Sequence, residues 1–172
     1  GGLTGHNAAN ATIANSYATG SVSGYGNVGG LVGYNGIGGS VIASYASGKV
    51  NATSNYAGGL AGRNDDIISE SFATGDVSGV SIVGGLAGGN EGGQITKSFA
   101  TGAVTAADNL VGGLVGYSIQ SLVELSYATG NVKGKSTVGG ACRHRKPRID
   151  HEIVRLWQRR GHYRCRRVGR KH

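Results

Sequence analysis

Apolar and polar residues recur along most of the chain at a long, fixed spacing. A Gly-Gly-Leu triplet begins at Gly1, Gly29, Gly58, Gly84 and Gly112, in steps of 28, 29, 26 and 28. A second landmark, Ser-aromatic-Ala-Thr/Ser-Gly, begins at Ser16, Ser44, Ser71, Ser98 and Ser126, in steps of 28, 27, 27 and 28. Three residues before each Ser stands an apolar residue (Ile13, Val41, Ile68, Ile95, Val123), and six after it a Val (Val22, Val50, Val77, Val104, Val132). Two independent landmarks that keep one period define a repeat architecture.

Within a unit the side chains alternate as on a strand. Ala18, Gly20 and Val22 share one side, and Tyr17, Thr19 and Ser21 the other. Position 21 and its equivalents read Ser, Lys, Asp, Ala and Asn, so that side faces water and the Ala/Gly/Val side is the core. The aromatic column (Tyr17, Tyr45, Phe72, Phe99, Tyr127) is then an outward or groove-facing ladder, and the Leu column (Leu3, Leu31, Leu60, Leu86, Leu114) lies inside. Asn7, Asn35, Asn64 and Asn90, then Ser118, follow the Leu and read as a corner, because Asn tolerates left-handed backbone and bonds its own turn.

A period of about 27 residues with three strand signals fits one turn of a parallel β-helix. Helical repeats are excluded, since helix formers are scarce and Gly interrupts every run. The expectation is an all-β solenoid of about five turns over residues 1–140, roughly 24 Å long at the spacing of stacked strands, with right-handed winding as the commoner hand. Such a stack leaves strand edges open at both ends.

Composition changes this picture at one place. The chain has 172 residues with 34 Gly and one Pro, and the glycines do not follow the collagen period. The net charge of +8 is unevenly spread: residues 1–140 carry five bases against seven acids, and residues 141–172 carry 12 bases against two acids. Both Cys, the only Pro and the only Trp also lie in 141–172. No signal peptide and no apolar run long enough to span a membrane stands out. Because the sequence opens within a repeat, it reads as an internal piece of a longer protein.

The motif V-G-G-L-V-G at 28–33, A-G-G-L-A-G at 57–62, V-G-G-L-A-G at 83–88 and V-G-G-L-V-G at 111–116, with its accompanying S-Y-A-T-G, resembles the GLUG repeat. The resemblance covers residues 1–140. It implies a place in large bacterial exoproteins: adhesin-like proteins, cell-wall-attached surface proteins, and the stalks of IgA-specific metallopeptidases. It implies no catalytic residue.

Residues 141–172 read as the same repeat out of frame. The next Gly-Gly arrives on schedule at Gly139-Gly140, but Ala141-Cys142-Arg143 follows in place of Leu. Synonymous codons permit, one nucleotide on, L-A-G-T-G-N from codon 141, S-I-T-K-S-Y-A-S-G over 149–157, and V-G-G-L-V-G-N over 165–171. The expectation for 141–172 is a frameshifted basic tail, poorly structured or forming a short helix where Ile149, Ile153, Leu156 and Trp157 fall at helical spacing. The coding DNA decides this: a shifted frame without a G-G-L-V-G-like string at codons 166–170 refutes it. The tail's bases with Trp157 and Tyr163 imitate a nucleic-acid footprint, yet frameshifted Gly codons themselves yield Arg, and no specific nucleic-acid partner is expected. His151-Glu152 followed by Arg155 lacks the last ligand of a His-Glu-x-x-His zinc motif, and Cys142 and Cys165 lack zinc-ligand spacing.

Three function classes follow. The first is a non-catalytic structural or adhesive segment of a large extracellular or surface protein, with host glycans, host proteins or neighbouring repeats of the parent chain as partners and many weak contacts adding up. The second is a β-helix enzyme on polysaccharide, for which paired carboxylates are needed. The one acidic cluster is Asp65-Asp66 with Glu70, whose adjacent members point to opposite faces, and His6 has no partner in view. The third is an ice-binding solenoid, on the hydroxyl column Thr19, Ser47, Thr74, Thr101 and Thr129. No Gly-Gly-x-Gly-x-Asp calcium repeat occurs, and the sequons at Asn10 and Asn51 are short motifs. No catalytic, cofactor-binding or metal-ligating residue is assigned.

Overall fold

The computed structural model describes residues 1–140 with the two strands Cys142–His144 and Tyr163–Cys165. The helix expected over 149–157 lies outside the described residues. Over residues 1–139 the chain is a β-solenoid: each strand pairs in parallel with its counterpart one repeat on, as in Asn7↔Asn35, Ile13↔Val41, Tyr17↔Tyr45 and Val22↔Val50, whereas Tyr163–Cys165 runs antiparallel to Leu122–Ala128. The pairing never slips between turns up to residue 112, because a one-residue slip would turn every core side chain outward.

The first four turns each hold five short strands where the sequence shows three, and in the fifth Leu122–Ala128 runs on as one strand and leaves four. In the second turn the five are Val32–Asn35, Ser40–Ile42, Tyr45–Ala46, Val50–Ala52 and Asn55–Gly58. One of the extra breaks in the first four turns falls at a column of left-handed residues, and a second such column lies in or beside the last strand of each turn. Asn15, Ala43, Glu70, Lys97 and Leu125 stand just before the Ser landmark at φ 47–50°. Asn27, Tyr56, Ile82, Leu110 and Thr137 form the second column at φ 49–62°. A left-handed L-residue costs roughly 1–2 kcal/mol, so the fold accepts strain at both corners in every turn.

The core face is as expected but is split in two. One cluster joins the Leu column to Val32, Val41, Ile68 and Ala46, Ala73 and Ala100, and the other joins Val50, Val77 and Val104 to Val28, Ala57, Val83 and Val111. The chain folds back between Ala46 and Val50, so the Ala and Val lines that the alternation puts on one side enter different cores. Leu31, Leu60, Leu86 and Leu114 are fully buried, each worth about 1.5–3 kcal/mol. Leu3 departs from the expectation: it is 51% exposed, because no turn lies over it.

The second glycine of each Gly-Gly-Leu triplet marks a close approach of one turn to the next. A Cβ on Gly59 would meet the Gly85 carbonyl and sit 2.7 Å from the Ala73 Cβ. Nothing larger than hydrogen fits there.

Candidate functional site

Four side-chain ladders run along the solenoid, and they differ in what they leave free. The asparagine column is interior. Asn35, Asn64 and Asn90 are fully buried and Asn7 nearly so. The Nδ2 of Asn7 donates to Asn35 Oδ1, Asn35 Nδ2 to Asn64 Oδ1, and Asn64 Nδ2 to Asn90 Oδ1, each at 2.7 Å. Each amide also bonds its own corner, as Asn35 Nδ2 does to the Gly39 carbonyl at 3.2 Å. These asparagines are not left-handed, contrary to the reason the sequence suggested; the left-handed residues lie elsewhere. What selects Asn is its pairing of donor and acceptor in one small amide, which lets a buried polar chain satisfy itself.

The landmark serines do the same for the neighbouring corner. Ser44 Oγ donates to the Ile42 carbonyl at 2.8 Å and accepts the Ser16 N–H at 3.1 Å. Ser71, Ser98 and Ser126 repeat both bonds. From Ser44 on, each Ser therefore spans the left-handed residue before it, bonding the carbonyl on its far side, and accepts the N–H of the Ser one turn earlier.

The aromatic column faces outward, as expected. Its rings are parallel within 8°, with centroids 4.9–5.2 Å apart from Tyr17 through Tyr127. That spacing is the distance between turns, so the inner rings stack on one another and spend both faces in the ladder. They present edges to solvent, not a flat platform for a ligand. Two residues on, Thr19, Ser47, Thr74, Thr101 and Thr129 are all exposed and form a continuous hydroxyl column beside the rings. The column next to it is aromatic, so the hydroxyls stand as a single file.

The residues of the acidic cluster are separated by their partners. Asp65 accepts from Tyr34 Oη at 2.6 Å and from Arg63 Nε and Nη2 at 2.8 and 2.9 Å. Arg63 Nη2 also reaches Glu91 at 3.1 Å, and Glu91 accepts from Tyr56 Oη at 2.8 Å. Asp66 caps the Gly38 N–H at 2.5 Å, and Glu70 pairs with Lys97 at 3.0 Å. Burial and the Glu91 hydrogen bond push the Tyr56 phenol up to about 12, and the bond to Asp65 raises that of Tyr34. His6 has a partner after all: its ring stacks on Tyr34 at 4.9 Å and 12°. Sequence reasoning missed Tyr56, whose ring fills the notch at Gly89, where a Cβ would lie 2.8 Å from Tyr56 Cε1. The signal was a Gly in a column otherwise read as His6, Tyr34, Arg63 and Tyr117.

Arg63 thus acts as a surface clamp across turns, its guanidinium 5.4 Å from the Tyr34 ring centre and 6.0 Å from that of Tyr56. Among the described residues no group of three or more His, Cys, Asp or Glu is placed to hold a metal ion. No helix there is long and apolar enough to cross a membrane.

No curated protein and no solved structure matches the chain. The family model of the GLUG motif matches it five times, over residues 1–23, 24–51, 53–78, 79–105 and 107–133, one match to each turn of the stack, and on this ground the chain belongs to the GLUG-motif family.

Proposed function

We propose that this repeat segment is a non-catalytic structural and adhesive element of a large bacterial cell-surface or secreted protein. In this reading it touches host glycans or proteins through its exposed hydroxyl column. The carrying observation is that Thr19, Ser47, Thr74, Thr101 and Thr129 repeat in register on the outside of the stack, one per turn. Single hydroxyls bind weakly, and a file of them gains by avidity when many copies meet a polymer.

The two alternatives have less support. A polysaccharide-cleaving site needs a free carboxylate pair, whereas Asp65 is held by Arg63 and Tyr34, Asp66 by Gly38 and Glu70 by Lys97. An ice face needs a second hydroxyl file, and the neighbouring file is Tyr and Phe.

The test is to display the chain densely on beads and measure retention on immobilised glycans and extracellular-matrix proteins. Retention that drops at least about tenfold for the Thr74→Lys/Thr101→Lys double variant supports the reading. Absence of retention on every surface, or retention indifferent to those changes, refutes it.

A further inference from the structure

The side chains gathered at Arg63 are peculiar to the middle turns, and the stack forms elsewhere without them. His6, Tyr34, Arg63, Gly89 and Tyr117 stand in one column, paired in register from turn to turn. Gly89 leaves a gap in it between Arg63 and Tyr117, and Tyr56 enters that gap from the strand Asn55–Gly58. Asp65 and Glu91 follow the ladder asparagines of their turns, at a place where the other turns have Ala8, Gly36 and Ile119. An exposed ion pair contributes only about 0–1 kcal/mol to a fold, so stability alone does not account for the cluster.

Its polar atoms are fixed in advance and still reach solvent. Arg63 and Tyr34 hold Asp65, and Arg63 and Tyr56 hold Glu91, while the side chains of Arg63 and Glu91 stay 32% and 21% exposed. Among the described residues, neither Arg63 Nη1 nor the Tyr117 hydroxyl has a hydrogen-bond partner. The rings differ in what they have spent. Tyr34 lies between the His6 ring and the Arg63 guanidinium. Tyr56 and Tyr117 stack on no other ring among the described residues.

Charge narrows the ligand. Arg63 already sets a cation against the Tyr34 and Tyr56 rings, so a second cation is repelled there. Two carboxylates against one guanidinium leave the cluster net negative, which disfavours an anion. A neutral ligand remains, with a flat C–H face to lie on a Tyr ring and adjacent hydroxyls to meet a fixed carboxylate and guanidinium edge. A pyranose ring has both.

We infer that Tyr56, Tyr117, Arg63 and Glu91 form a saccharide site for one neutral pyranose unit of a glycan. Groups that are already in place lose little freedom on binding, so one copy of the site suffices. The inference goes beyond adhesion through the hydroxyl column and does not depend on it, since the residues and the face are different.

The experiment screens the full chain in solution, by NMR, against a library of neutral glycans and their sialylated and sulfated counterparts. Single chains in solution lack the bead avidity on which the hydroxyl column depends, so the two readings fail separately. The expected result is a neutral glycan that shifts the signals of Tyr56, Gly89 and Tyr117. Tyr56→Ala removes the ring. Gly89→Ala pushes it from its seat, and the added methyl meets only side-chain atoms of Tyr56 and Glu91, so the backbone is undisturbed. Each should weaken binding by about tenfold or more. Arg63→Lys, which keeps the charge and loses the fork, should weaken it as well, and Lys97→Ala, in the separate pair with Glu70, should not. Failure of every neutral glycan to bind, shifts confined to other residues, or tighter binding of the sialylated or sulfated forms overturns the inference. So does binding that survives both Tyr56→Ala and Gly89→Ala. The wild-type shifts decide the matter even where a variant does not fold.

Discussion

Asn64 sits at the middle of the buried amide chain, and removing it measures what the chain contributes. Its Nδ2 donates to Asn90 Oδ1 and to the Asp66 carbonyl, both at 2.7 Å, and its Oδ1 accepts from Asn35 Nδ2 at 2.7 Å. In Asn64→Ala the Asp66 carbonyl keeps the Gln94 N–H, and Asn35 Nδ2 keeps the Gly39 and Ile67 carbonyls at 3.2 Å. Asn90 Oδ1 is left in a fully buried site without that donor. An orphaned buried acceptor costs about 1–3 kcal/mol and a lost ladder bond about 1 more, so the expected loss is about 2–4 kcal/mol. Against a typical domain stability of about 5–15 kcal/mol this is a large share. Asn7→Ala breaks one ladder bond instead of two, leaving only Asn35 Oδ1 without its donor, and should cost less, about 1–3 kcal/mol. Urea unfolding followed by far-UV circular dichroism gives both numbers. Equal small losses, below about 1 kcal/mol at each position, would show that the ladder does not support the fold. Asn64→Asp adds a pH arm. Burial raises the folded-state pKa of the introduced carboxyl above its unfolded value of about 3.9. Its contribution is then fully present below that value and lost as pH rises through the folded pKa, so this variant should be closer to wild type at pH 4 than at pH 7.

Three further outcomes follow from the geometry. Gly59→Ala drives a methyl group into the Gly85 carbonyl and the Ala73 side chain, and should cost about 3 kcal/mol or more, or prevent folding, in the same urea assay. Ala43→Asn places at φ 47° the residue type that the first turn uses at Asn15, φ 49°, and should stabilise by about 0.5–1 kcal/mol; a loss would contradict the strain assigned to that corner. The Tyr56 phenol, raised to about 12 in the folded chain against about 10 unfolded, favours folding fully below pH 10, and that contribution is lost as pH rises through 12. A urea midpoint that falls over this window in wild type and less in Tyr56→Phe is the expected result.

The period, the outward aromatic ladder and the buried Leu and Val columns were legible in the sequence because each rests on one residue type repeated at one place. The left-handed corners were not. Their occupants are Asn15, Ala43, Glu70, Lys97 and Leu125, which share no chemistry, since the strain there is borne by the Ser ladder and the strand pairing and not by the residue itself. The Asn column was visible, but a corner and an interior chain of amides predict the same string of residues. Only the burial of Asn35, Asn64 and Asn90 distinguishes them. The Arg63 clamp was half visible: Asp65 stands two residues from Arg63 in the sequence, while Tyr34 and Glu91 reach the clamp from the turns on either side.

The ladders and the hydroxyl file both require turns stacked in one register, and cysteine cross-linking measures that register directly. Asn51 and Ser78 are parallel partners on adjacent turns, and Ser78 pairs in turn with Thr105. Partners on adjacent turns lie about 4.8 Å apart, within disulfide reach, and residues two turns apart lie about 9.6 Å apart, beyond it. With Cys142 and Cys165 changed to Ser, Asn51→Cys/Ser78→Cys should oxidise to an intramolecular disulfide in the folded chain, and Asn51→Cys/Thr105→Cys should not. Cross-linking of the second pair in preference to the first would contradict the stack.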